Sequence, residues 1–256
     1  MKLDIHGEAI QGARHYQEDC FEICVEEVSD PEGCLVVLCD GMGGHKGGAV
    51  ASSVAATAFI NHFLTLSGLP PTEALQLSLD AAHQAIRNEI AEQGAPPEMG
   101  TTLVAVYVVG NDVHWVSAGD SHLYYYRKGR LEKLNQDHSM AAVLDELAEI
   151  GRISPEEARK DPQRNALRSC LSADDISLMD LQSREGLLRP SDKLFLASDG
   201  LDTLEGHKIE KLVTKYKRKT SSLLVSKLLK TVEQVNKPNQ DNTTIVIISA
   251  KGNSWF

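Results

Sequence analysis

Cys34-Leu35-Val36-Val37-Leu38-Cys39-Asp40-Gly41-Met42-Gly43-Gly44-His45 is the stretch on which the reading of this chain turns. Its first six residues are apolar without alternation, which specifies a strand buried on both faces. The strand runs straight into an aspartate followed by glycine. Upstream, residues 20–28 read as a partner strand, joined through the turn Asp30-Pro31-Glu32-Gly33. Downstream, a helix is expected from Gly48 to Leu66, small and Ala-rich on one side, with Val50, Val54, Phe59 and Phe63 packing inward. A second helix runs from Thr72 to Gln93, and Leu69-Pro70-Pro71 joins the two as an antiparallel pair.

Gly100-Thr101-Thr102 opens a β-rich stretch. Residues 103–109, 113–118, 121–127 and 131–134 are short, aromatic or β-branched, and separated by Gly or Asn turns, the pattern of an antiparallel meander. Residues 139–175 are polar and helical or irregular, with Pro155 and Pro162 as breakers. Lys193–Ala197 returns to strand, a helix spans Ser221–Val235, and Thr243–Ser249 forms a last strand. This order implies an α+β fold in layers, with a pair of antiparallel sheets and helices outside them.

Composition narrows the function. The 256 residues are 42% hydrophobic and 24% charged, and the chemical motifs run from residue 14 to residue 244, so one domain over 1–256 is expected. No segment has the apolar length to cross a bilayer, and the N-terminus lacks a signal-peptide core, which points to a soluble cytoplasmic protein. Cys20, Cys24, Cys34, Cys39 and Cys170 form no CxxC pair and read as reduced thiols, against a disulfide framework or a zinc site. The net charge of −10 and the lack of an evident basic patch argue against nucleic acid. The single basic run, Lys215-Tyr216-Lys217-Arg218-Lys219, reads as a solvated surface linker.

Four aspartates share one kind of position, the end of an apolar strand beside Gly or Asn: Asp40, Asp120, Asp199 and Asp241. Asp19 sits just before a strand. Any one of them alone reads as a turn residue. Several at one mouth of a sheet system repel one another unless a cation compensates, and hard carboxylate oxygens suit magnesium or manganese. Two cations bridged by a carboxylate suit phosphoryl transfer to water. A guanidinium is the best holder of the remaining phosphate oxygens, and Arg14 is the candidate.

Taken in order, seven motifs resemble the metal-dependent protein phosphatase family of the protein phosphatase 2C type, especially its compact bacterial members. They are Gly12-Ala13-Arg14-His15-Tyr16-Gln17-Glu18-Asp19, Asp40-Gly41-Met42-Gly43-Gly44-His45, Gly100-Thr101-Thr102, Gly119-Asp120-Ser121, Gln136-Asp137-His138-Ser139, Ser198-Asp199-Gly200-Leu201 and Asp241-Asn242-Thr243-Thr244. The resemblance implies a four-layer α/β/β/α sandwich, two antiparallel sheets flanked by helix pairs, with a flap at 139–175. It implies two Mn2+ or Mg2+ ions: Asp40 bridging them, the Gly41 carbonyl, Asp199 and Asp241 completing one shell, and Asp19 serving the other. Asp120 would help a weaker third ion, Glu18 and Asn242 would stand behind the ligands, and Arg14 would bind phosphate. The implied activity is direct hydrolysis of phosphoserine and phosphothreonine by a metal-bridging water or hydroxide. Partners would be phosphoproteins, with the enzyme a monomer opposing a bacterial serine/threonine kinase.

Three positions depart from the family pattern. Met42 stands where many eukaryotic relatives have His, His122 where Arg is usual, and Gln17 where Asn is usual. His45 reads as loop structure, His62 and His83 as satisfied or solvated helix residues, and Asp174-Asp175 as a solvated turn. Trp115 reads as core, and Trp255-Phe256 as a loosely packed tail.

Overall fold

A computed structural model describes residues 1–25, 33–43 and 47–252. The turn at 30–32, the end of the strand expected over 20–28, His45 and the tail Trp255-Phe256 lie outside the described residues. The elements in order are β1 (Lys2–Ile10), β2 (Asp19–Cys24), β3 (Cys34–Met42), α1 (Gly47–Thr65), α2 (Pro71–Gln93), β4 (Gly100–Thr101), β5 (Leu103–Val109), β6 (Asp112–Ala118), β7 (His122–Arg127) and β8 (Arg130–Lys133). There follow α3 (Met140–Glu149), α4 (Pro155–Lys160), β9 (Asp180–Arg184), β10 (Lys193–Ala197), a 3-10 turn over Asp199–Thr203, α5 (Gly206–Tyr216), α6 (Ser221–Val235) and β11 (Thr243–Lys251).

The strands form two antiparallel sheets. One has the order β1-β11-β10-β7-β8; the other has the order β2-β3-β5-β6-β9, with β4 added to β3. Successive side chains of β3 serve different layers, as the period of a strand requires. Leu35, Val37 and Cys39 face α1 and α2, where they meet Ala51, Ala55, Phe59 and Leu75. Cys34, Val36 and Leu38 face the other sheet, packing with Trp115, Leu123, Leu196 and Val246. The far side of that second sheet buries Phe195, Ile245 and Ile247 under Ile209, Val213, Leu224 and Leu228 of α5 and α6. The four layers expected from the sequence are therefore present.

Three elements add to those expected from the sequence. β1 pairs with β11 along its whole length, from Lys2 opposite Lys251 to Ile10 opposite Thr243. Its start, Lys2-Leu3-Asp4-Ile5-His6, alternates polar and apolar residues, the period of a strand, so the element has a local mark in the sequence. β9 completes the other edge through Ser117–Asp180 and neighbouring pairs. There the indole of Trp115 donates to Asp180 Oδ2 at 3.1 Å, which satisfies its one polar atom inside the core. α5 places Ile209, Leu212, Val213 and Tyr216 at i, i+3, i+4 and i+7, a helical period that the sequence does carry, and packs that face against β10 and β11.

One inward assignment is corrected. Val50 is 37% exposed, because the small residues Gly47, Gly48, Ala51 and Ala55 form the face of α1 that approaches β3. Small side chains there let the helix sit close to the sheet. Within 139–175 the structure places α3 and α4, and Arg164 ties them back by donating to both carboxylate oxygens of Asp145 at 2.8 Å. Asp174 and Asp175 are exposed, as expected, and Arg87 of α2 also donates to Asp175 at 2.6 Å.

Leu38→Ala is expected to cost about 2–5 kcal/mol in urea unfolding, because it opens a cavity between the two sheets. Val50→Ala should stay within about 0.5 kcal/mol of the parent. Equal losses at both positions would contradict the layer assignment.

Candidate active site

The site is built where the two sheets end together. Asp40 is the residue at which β3 stops pairing with β5 and turns to β4. Its backbone N–H donates to Thr102 Oγ1 at 3.1 Å, and its carbonyl accepts from Thr101 Oγ1 and from the Thr102 N–H, each at 2.9 Å. With its backbone fully satisfied, only the carboxylate is left to face the cavity. Next to it, the Gly41 N–H donates to the Glu18 carbonyl at 3.2 Å. A Cβ on Gly41 would collide with the Gly48 carbonyl oxygen at the start of α1, so the helix approach requires glycine here.

Asp19 lies directly opposite Asp40 in the β2–β3 ladder. Because Glu18 and Gly41 form a hydrogen-bonded pair, Asp19 and Asp40 fall on the alternate position, where side chains stand closest. Asp19 reaches across to the other sheet: Oδ2 accepts from Ser198 Oγ at 2.8 Å and from Thr244 Oγ1 at 2.7 Å. Its Oδ1 is buried without a partner, and so is Oε1 of Glu18.

Asp199 opens the 3-10 turn that follows β10, and Gly200 behind it packs against the Asn242 carbonyl too tightly for any side chain. Asn242 staples the 11–18 loop in place. Its amide donates to the carbonyls of Gln11 at 2.7 Å and Tyr16 at 3.0 Å, and its Oδ1 accepts from the Glu18 N–H at 2.8 Å. That loop carries Arg14, whose guanidinium donates to Asp241 Oδ2 at 2.5 Å.

Arg14, Glu18, Asp40, Gly41, Asp120, Asp199, Asp241 and Asn242 all line one open cavity of about 460 Å³. Asn165, Leu167 and Cys170, from the return limb of the 139–175 segment, form its other wall. Every site residue expected from the sequence except Asp19 is at this surface. Asp19 stands immediately behind it, facing Ser198 and Thr244. The supporting hydroxyls of Thr102, Ser198 and Thr244 were missed. They were quoted within motifs, but nothing in a linear pattern says which carboxylate a hydroxyl will meet.

The charges are under strain. Burial first, then Asp19, Asp199, Asp120 and Asp241, push the Asp40 carboxyl well above the usual range. Burial and then Asp120 and Asp241 raise Asp199 to about 7. Burial, set against the two hydroxyl bonds, leaves Asp19 at about 6. Asp120 is raised by burial and by Asp137. In contrast, Arg14 is held more firmly protonated by its bond to Asp241.

Among the described residues, no three His, Cys, Asp or Glu side chains converge tightly enough to enclose a metal ion as they stand. Asp241 is turned to Arg14, and Asp19 to the hydroxyls. The donor set nonetheless fits hard cations: five carboxylates around one cavity, two buried carboxylate oxygens without partners, and glycine backbone at the wall. A positive charge here would relieve the mutual repulsion that the protein itself does not neutralise.

Fold and site together define a four-layer α+β sandwich that presents an acidic, cation-demanding cavity with one guanidinium at its rim. A family model described as protein phosphatase 2C matches residues 12–246, and the chain belongs to that family. It is 37% identical over 171 residues to the serine/threonine protein phosphatase PstP of Mycobacterium tuberculosis, covering 65% of this chain and 31% of that protein. The chain therefore spans about a third of the length of that relative. The serine/threonine phosphatase stp of Listeria monocytogenes is 29% identical, over 92% of this chain and 90% of its own. Among solved structures, the catalytic domain of PstP in complex with two manganese ions superposes with a TM-score of 0.78 at 28% identity, covering 98% of this chain and all of that one.

The raised carboxyls set the pH response of the cation-free protein. Their folded pKa values lie above the unfolded 3.8, so the native state binds more protons than the unfolded chain between 3.8 and about 7. Stability contributed at this cluster is then lost as pH rises through that window. In urea unfolding with chelator present, Asp199→Asn should be more stable than the parent at pH 8, and the two should converge near pH 4. A constant difference across this range would show that repulsion is not what shifts Asp199.

Proposed function

We propose that this chain is a metal-dependent phosphatase of phosphoserine and phosphothreonine in proteins. The observation that carries the reading is the single cavity bringing Asp40, Asp120, Asp199 and Asp241 together beside Arg14. Asp40, the Gly41 carbonyl, Asp199 and Asp241 would hold one ion with Asp40 shared to a second, which Asp19 serves; Asp120 would help a weaker third. Bound there, Mn2+ or Mg2+ supplies charge neutralisation for the phosphate and acidifies water at neutral pH.

The residues of the chain have separate tasks. Arg14, more than half exposed, presents its guanidinium to phosphate oxygens, with Asp241 fixing its direction until substrate arrives. Thr101 and Thr102 lock the Asp40 backbone, so the carboxylate is preorganised and does not have to be ordered on binding. Glu18 and Asn242 stand behind the ligand positions, Asn242 by fixing the loop that carries Arg14. Asn165 and Leu167 close one wall of the cavity.

Hydrolysis is direct, without a phosphoenzyme. Neither a Cys-x5-Arg loop nor a Gly-x-Ser-x-Gly elbow is present in the sequence. Cys170 does line the cavity, but burial and the nearby Asp174 and Asp120 raise its thiol pKa, the opposite of what a nucleophile needs. Met42 at the rim offers no proton, so no side chain beside Asp40 acts as a general acid from that position.

Residues 1–256 then form one catalytic unit, with 139–175 as a flap beside the cavity. No helix among the described residues is long and apolar enough to cross a membrane. We place the enzyme in the cytoplasm as a monomer, acting on phosphoproteins and opposing a serine/threonine kinase in a bacterial circuit.

Phosphate release from a phosphothreonine peptide should require Mn2+ or Mg2+ and stop with chelator. Asp40→Asn and Asp199→Asn should each lower kcat by about 100-fold or more while the protein stays folded. Calorimetry should show Mn2+ binding in the parent and its loss in Asp40→Asn. Full activity in both variants would end the two-ion reading.

A further inference from the structure

The charge of this molecule is segregated. Residues 206–237 carry nine Lys and Arg against two Glu, while the rest of the chain holds 17 against 34. The run Lys215–Lys219, a mere linker in the sequence, sits at the junction of α5 and α6. Those helices bury Ile209, Val213, Leu224 and Leu228 against β10 and β11, which leaves the lysines on the outer surface. Lys208 is paired with Glu205, but among the described residues no carboxylate pairs with Lys217, Arg218, Lys219, Lys227 or Lys230.

The orientation of α6 gives this face a direction. At its start, the Ser221 N–H donates to Asp4 Oδ2 at 3.0 Å, next to the beginning of β1. Near its end, Val232, Glu233 and Asn236 border the same cavity as Ile10, Gln11, Gly12 and Ala13. α6 therefore runs along β1 from the far end of the molecule toward the loop that carries Arg14. Just past it, Lys237 lines a groove of about 550 Å³ that it shares with Asp120, Asp199 and Asp241. Cations thus mark a path beside the 15 residues of α6, roughly 22 Å long, that ends at the active-site mouth.

We propose that this basic path holds an acidic segment of the phosphoprotein substrate while the phosphorylated side chain occupies the catalytic cavity. The inference rests on the phosphatase reading and adds a substrate class to it. An extended peptide covers about 3.3 Å per residue, so the acidic residues would lie roughly seven residues from the phosphorylated one. The chemistry favours a peptide over a lipid surface. The path leads into the groove, and its exposed neighbours on α6 include Ser222, Ser226 and Gln234. Leu223 and Val235 are the large apolar side chains exposed on this helix; they are twelve positions apart and form no belt for insertion. The rest of the chain carries twice as many acidic as basic residues, and six aspartates line the groove beyond Lys237, so the acidic segment lies on the helix face and not in the groove.

The test compares phosphothreonine peptides that carry a block of four acidic residues about seven positions away, on either side, with peptides carrying glutamine there. With the metal-loaded enzyme at low salt, one orientation of the acidic block should lower KM roughly three- to tenfold with kcat unchanged, and about 0.5 M salt should erase the difference. The variant K217E/K219E/K227E/K230E should lose that preference while keeping its turnover of p-nitrophenyl phosphate; the matching Lys→Gln variant guards against misfolding. Anisotropy of a fluorescent, unphosphorylated acidic peptide reads the surface without turnover, so peptide binding with no hydrolysis of any phosphopeptide would sink the phosphatase reading and leave only the acidic-peptide site. Equal KM values together with no peptide binding would overturn the proposal. So would sedimentation with phosphatidylserine vesicles, abolished by the Lys→Glu variant, in the absence of peptide binding.

Discussion

Mutual repulsion among carboxylates is the constraint around which this molecule is organised. Asp19 and Asp40 face each other across one ladder, and Asp199 and Asp241 arrive from the neighbouring sheet into the same small volume. Left to themselves, such groups would splay into solvent. They are kept in place by hydrogen bonds from uncharged neighbours: Thr101 and Thr102 on the Asp40 backbone, Ser198 and Thr244 on the Asp19 carboxylate, Asn242 on the loop before it. The site is thus strained by design of the fold, and the strain is what makes a cation welcome.

That arrangement needs a rigid frame, which the three apolar layers supply. β3 takes part in two of them at once through the alternation of its side chains. Displacing it would disturb both α1 and the opposite sheet. Asp40 directly follows that doubly buried segment, so its position inherits the precision of the core. The tie from Asp19 to Ser198 and Thr244 then links the two sheets at the functional end, where apolar packing gives way to polar contacts. Stability and activity pull in opposite directions here: neutralising an aspartate would relax the fold and remove the function.

The same segregation of charge operates on a larger scale. An acidic cavity attracts cations, and a net negative molecule repels phosphorylated proteins. A basic face on α5 and α6, leading to the mouth, reconciles the two requirements.

Much of this was legible in the order of residues. Apolar runs bordered by Asp-Gly or Asp-Asn gave the inner strands and the carboxylates, because burial on both faces and tight turns each leave a local mark at Cys34–Gly41 and Ser198–Gly200; Asp241, expected at a strand end, instead precedes β11. Other features left no such mark. β9 exists because a distant strand offers it an edge, and Val50 faces out because glycine and alanine neighbours bring the opposite face of α1 onto the sheet. The pairing of Arg14 with Asp241, the hydroxyls that hold Asp19, and the alignment of α6 with the active-site mouth join residues far apart in the chain. A sequence specifies which groups are present and the local backbone they prefer. Only packing two sheets against each other decides which of those groups meet.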